Sequence, residues 1–144
     1  MGLAGRNTGH LPPSFFVFYI GGSGGPSLYL RLEGDTLICE RTAGGRYSGD
    51  VLELAPGHDA WEAFFAALER IGVWDWESEY DGVHACSDVT YWHLRLEAGE
   101  RTISSRGANA YPGTGADEPS ESFTALLTLL YSFIDMCSRR HSLP

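Results

Sequence analysis

Lysine is missing from the chain; its ten side chains of fixed positive charge are all arginines. That absence excludes a phosphate-loop lysine, a Schiff base to pyridoxal phosphate and a kinase-type strand lysine. It also fits a GC-rich bacterial coding sequence. Cysteine is scarce: Cys39, Cys86 and Cys137 form no CxxC pair. A zinc ribbon and a thioredoxin motif are therefore excluded, and reduced thiols in a cytoplasmic protein are expected. Long hydrophobic runs are missing too. Phe15–Ile20 and Ala125–Ile134 are too short and mixed for a membrane span of about 20 residues. The first residues, MGLAGRNTGHLPPS, lack an apolar signal core, and Arg6 breaks the myristoylation pattern. No membrane partner is expected.

The 144 residues suit one domain, and 43% apolar with 12% aromatic content suffices for a core. Nineteen acids against ten arginines give a net charge of −9. Nucleic-acid binding needs clustered cations, so no nucleic-acid partner is expected.

Patterning divides the chain into a tail at 1–13, one α+β domain at 14–138 and a second tail at 139–144. Ser14–Ile20 is aromatic and β-branched on both faces, as a central strand buried on both sides would be. Ser27–Glu33 alternates, with Leu28, Leu30 and Leu32 opposite Tyr29, Arg31 and Glu33. Gly34-Asp35 turns into Thr36–Thr42, and Ala43-Gly44-Gly45 into Arg46–Leu54, completing a four-strand meander. Asp59, with Glu62 three residues on, predicts a capping box. Trp61, Phe64, Phe65, Leu68 and Ile71 form a helical stripe ending at Gly72. Thr90–Ala98 alternates again and turns at Gly99-Glu100 into Arg101–Arg106, a second hairpin. Pro119 suits the first turn of a last helix striped by Phe123, Leu126, Leu127, Leu130, Ile134 and Cys137. Arg139, Arg140 and His141 suit its C-terminal dipole. The predicted fold is thus an antiparallel sheet with both helices on one face and a more polar second face.

Several groups carry potential chemistry. Gly21-Gly22-Ser23-Gly24-Gly25 matches G-x-S-x-G but is followed by a strand, which favours a hairpin loop over a nucleophile elbow. His84, Cys86 and Asp88 would share one face of a strand and, with His93, offer metal ligands. Their spacing of ~6–7 Å is wide for one ion. No metal or other cofactor is expected. Asp75, Glu77, Glu79 and Asp81 alternate with Trp74, Trp76, Ser78 and Tyr80. Extended, this stretch is either an edge strand whose charges block edge-to-edge pairing or an acidic docking surface with an aromatic backing. Trp74, Trp76, Tyr80, Trp92, Asn109 and Tyr111 form either core packing or one side of a ligand groove.

A longer pattern runs through these residues. It comprises Trp61 and Phe64-Phe65, Gly72-Val73-Trp74-Asp75-Trp76, Tyr80, Asp88 with Trp92-His93-Leu94, and Gly107-Ala108-Asn109-Ala110-Tyr111-Pro112, followed by an amphipathic helix. With it the chain resembles a family of small bacterial α+β proteins without assigned activity. The resemblance covers about residues 58–135 and departs at Val89, where the pattern carries glycine. It implies one α+β domain and no particular chemistry. Immunity proteins of bacterial toxin systems are similar in size and charge.

The leading expectation is a non-catalytic interaction protein. Asp75, Glu77, Glu79 and Asp81 would attract a basic protein partner, and Trp74, Trp76 or Tyr80 would anchor it. The alternative is a small enzyme or small-molecule binder using Trp92, Asn109 and Tyr111, with Asp88 or His93 as acid–base group. An acidic secretion-type chaperone, which would be a homodimer, is a third reading.

Overall fold

The alternating segments become strands of one sheet. The computed structural model describes residues 13–22, 26–42, 50–81, 89–112 and 120–142. In chain order come β1 (Phe15–Gly22), β2 (Ser27–Glu33), β3 (Thr36–Thr42), β4 (Asp50–Leu54) and helix α1 (His58–Ile71). A 3-10 turn (Val73–Asp75), β5 (Glu79–Asp81), β6 (Thr90–Ala98), β7 (Arg101–Ala108) and helix α2 (Glu121–Ser142) follow. The seven-stranded sheet has the order β4-β3-β2-β1-β6-β7-β5. The α+β class, the four-strand meander and the later hairpin are as expected from the sequence. β1 is the central strand because it pairs with β2 on one side and β6 on the other, both antiparallel.

Strand alternation sends one set of side chains to each face. Phe16, Phe18, Leu28, Leu30, Leu37, Cys39, Leu54, Trp92, Leu94, Leu96 and Ile103 belong to one buried cluster. Both helices cover that face. Phe16 meets Trp61 and Phe64 of α1, Phe133 of α2 packs on both of those, and Phe123 of α2 packs on Trp92. Burying an aromatic or leucine side chain here contributes about 1.5–3 kcal/mol.

Four local details differ from expectation. α1 begins one residue before Asp59, and its N-cap is Gly57, with no side-chain hydrogen bond there. The predicted capping box is therefore not formed; Asp59 instead lies in the first turn, where its charge suits the helix dipole. Gly72 does end α1 in the left-handed region, at φ 85°, donating its N–H to the Leu68 and Glu69 carbonyls. The acidic segment is not one extended strand: Val73–Asp75 closes a 3-10 turn, and only Glu79–Asp81 enters the sheet, parallel to β7. α2 continues through Ser142, four residues beyond the expected boundary. The expected tail at 1–13 falls outside the described residues except for Pro13, which is buried.

Among the described residues, no helix is long and apolar enough to cross a membrane.

Candidate functional site

The acidic segment is held by its aromatics. After Gly72 the 3-10 turn buries Val73 and sets Trp74 against Phe65 of α1. The Arg101 guanidinium lies 4.3 Å from the centroid of the Trp74 ring, a cation–π contact. The Trp74 Nε1–H is buried and meets no acceptor among the described residues. Trp76 stacks on Phe123 and meets Trp92 edge-on, while Tyr80 lies against Trp92. The Tyr80 hydroxyl accepts the Glu77 N–H at 2.8 Å. The Glu77 carbonyl in turn accepts the Ser105 hydroxyl at 2.5 Å. Trp74, Trp76 and Tyr80 are all half-buried in this way, whereas Asp75, Glu77 and Glu79 are exposed.

The acid–aromatic alternation thus survives the break in the strand. Inward packing of Trp74, Trp76 and Tyr80 decides it, with Ser78 exposed between them, and the acids are left along the rim of the sheet. Glu79 reaches across to Arg106 at 2.7 Å; Asp81 follows as the last residue of β5. β5 is an edge strand, and charged side chains on an edge resist pairing with another chain. Both sequence readings of this segment, guarded edge and docking surface, are compatible with that geometry.

Trp92 and Tyr111 stack 6.5 Å apart and close on Phe123 at 4.8 Å each. They are core residues, 1% and 4% exposed, rather than the walls of an open groove. The Trp92 indole N–H is satisfied by the Ala110 carbonyl at 2.9 Å. Asn109 takes a left-handed φ of 51°, which asparagine tolerates better than most residues. Its side-chain oxygen accepts the Thr90 N–H and its own N–H reaches the Thr90 carbonyl, each at 2.9 Å. Asn109 therefore fixes the exit of β7 against the start of β6. A Cβ at Gly107 would collide with the Ala110 carbonyl and the Trp92 indole, so this approach needs glycine. Asp88, with His84, Cys86 and Ser23, lies outside the described residues.

Among the described residues, no helix covers the second face of the sheet. Strand register aligns Glu40, Tyr29, Tyr19, His93, Arg106 and Glu79 in one row across six strands. Tyr19 stacks on His93 at 6.1 Å and meets Tyr29 edge-on. Arg31 binds both Glu33 and Glu40, Arg95 binds Glu97 at 3.0 Å, and Arg106 binds Glu79. Tyr91 is 52% exposed, a large apolar area to leave in water. A shallow depression of about 310 Å³ is lined by Tyr91, His93, Arg106, Glu79 and their neighbours. A second, of about 380 Å³, lies on the other side of His93 and Arg106. Burial and the nearby Arg106 charge hold the His93 imidazole below its ordinary value.

The sequence pattern places Tyr29, Arg31, Tyr91 and His93 on this face and makes it the more polar one. Tyrosine, histidine and arginine recur at alternate positions of β2 and β6, where a bland solvent face would carry threonine and glutamate. Arg106 and Ser104 escaped notice because β7 lacks an aromatic on that face. No family model matches the chain, and neither does any curated protein.

Proposed function

We propose that the protein is a non-catalytic interaction domain, immunity-like in size and charge, that binds a basic protein partner through the acidic rim Asp75, Glu77, Glu79 and Asp81. One observation carries the reading: Asp75, Glu77 and Glu79 stay exposed because the aromatics between them are packed inward. A rim whose backbone is fixed in this way presents its charges at a lower ordering cost on binding. Trp76 and Tyr80 are engaged by Trp92 and Phe123, so they act as backing for the rim, and apolar anchoring comes from elsewhere. Electrostatic attraction mainly accelerates encounter and selects partners by charge. The test is association kinetics with a partner isolated by in-cell crosslinking. Asp75→Arg with Glu77→Arg should slow association at low salt and leave the fold intact; unchanged kinetics would remove the reading.

The alternative, a small-molecule binder, is favoured by one observation of its own: the depression beside Tyr91 and His93. In that version Trp92, Tyr111 and Asn109 support the site from beneath.

A further inference from the structure

On the open face, two pairs of opposed residues on neighbouring strands form a square. His93 of β6 faces Arg106 of β7, and Arg95 of β6 faces Ser104 of β7. Directly opposed residues lie about 5 Å apart, and long side chains also span the diagonal. These four residues line the 380 Å³ depression together with Phe15 and Val17, and no carboxylate lines it among the described residues. In a chain of net charge −9, that local composition is unusual.

We propose that His93, Arg95, Ser104 and Arg106 form a binding site for a phosphate monoester. The donor set carries the assignment. Arg95 engages Glu97 through one terminal nitrogen, and Arg106 engages Glu79 through Nε and one terminal nitrogen. Each guanidinium has five N–H donors, so both keep donors for a ligand. Both arginines are more than half exposed in their ion pairs, and such pairs are weak enough to share a second anion. The Ser104 hydroxyl and the His93 imidazole complete the set. The Arg95 guanidinium lies over Phe15 and the Arg106 guanidinium lies on Glu79, so the two flank the depression from opposite sides; the three terminal oxygens of a phosphate can be met from both flanks, where the two of a carboxylate suit one. Phe15, 36% exposed with the Arg95 guanidinium 4.7 Å from its ring centroid, offers an apolar wall for the organic part of the ligand.

The other groups around His93 are Tyr91 and Arg95 on its own strand, Tyr19 on β1, Arg106 on β7 and, beyond Arg106, Glu79 on β5. A dianion seated between His93 and Arg106 opposes the Arg106 charge and should therefore draw the imidazole back up toward its ordinary value.

The experiment is an NMR titration of the full chain with phenyl phosphate, following the His93 imidazole, assigned by its loss in His93→Gln. Inorganic phosphate and benzoate serve as comparison probes. The expected result is a saturable shift, a raised His93 titration midpoint, and binding of phenyl phosphate tighter than benzoate. Arg95→Gln and Arg106→Gln should each weaken binding about tenfold, since each removes a charge-assisted hydrogen bond. Arg70→Gln, an exposed change on α1, should leave it unaltered. Thermal melts establish that each variant folds, as the exposure of Arg95 and Arg106 leads one to expect. No saturable shift up to about 10 mM phenyl phosphate would overturn the proposal. Equal weakening by Arg70→Gln would also overturn it, as a general charge effect. Benzoate binding as tightly as phenyl phosphate would overturn the phosphate assignment.

Discussion

The same strands do different work on their two faces. On the helix-covered face Phe16, Phe18, Leu30, Trp92 and Leu94 are at most 1% exposed and fill one core with α1 and α2. On the other face, which no helix covers among the described residues, Val17, Tyr19, Tyr29, Tyr91 and His93 stand one residue away along each strand and are half-buried or exposed, with Tyr19 packed on Tyr29 and His93. Backbone geometry is shared, so covering alone makes the difference. Stability rests on the first face, and the groups free to meet a ligand stand on the second and along its acidic rim.

Adjacent substitutions on β6 should separate the faces most sharply. Trp92→Ala removes a ring packed among Trp76, Tyr80, Tyr111 and Phe123 and should cost about 3–5 kcal/mol in urea unfolding. Tyr91→Ala, one residue away, should stay within about 0.5 kcal/mol. Comparable losses would erase the distinction between the faces.

Backbone positions beneath the Trp92 cluster come next. Gly107→Ala should destabilise by about 1–3 kcal/mol, because its new methyl strikes the Ala110 carbonyl and the Trp92 indole. Asn109→Ala loses both the left-handed preference and the acceptor for the Thr90 N–H. A cost of about 1–3 kcal/mol is expected, with Asn109→Gly recovering part of it by restoring the φ. Equal losses for Ala and Gly in thermal melts would assign the whole effect to the hydrogen bond.

Much of this contrast was legible in the residues. Leu28, Leu30 and Leu32 against Tyr29, Arg31 and Glu33 state the two faces of β2, and Trp92-Leu94-Leu96 against Tyr91-His93-Arg95 state those of β6, because strand period is a local property. The helical stripe ending at Gly72 was equally plain. The capping box was not reliable: Asp59 and Glu62 have the right spacing, but Gly57 starts the helix earlier, and capping depends on where the chain enters. The joining of Glu79–Asp81 to β7 is a non-local pairing, invisible to any window of neighbouring residues. The square His93–Arg106–Arg95–Ser104 requires the β6–β7 register, which the hairpin turn fixes and composition does not state.

The smallest stability effect expected is a pH dependence on the open face. The folded chain holds His93 below its ordinary value of 6.5, so the unfolded chain binds that proton at higher pH. Stability should therefore rise with pH through the interval between the folded-state value and about 6.5, and become level above it. Urea unfolding at several pH values should show this slope, and His93→Gln should flatten it. A slope unchanged by the substitution would place the titration elsewhere.

The rim is the region on which the functional reading depends most, and its association rate is the most direct test. With the crosslinked partner at low ionic strength, Asp75→Arg with Glu77→Arg should lower the association rate constant about tenfold or more. The dissociation rate should change little, since the rim steers encounter more than it anchors the complex. An association rate equal to that of the unmodified chain, in a variant of equal stability, would contradict the account.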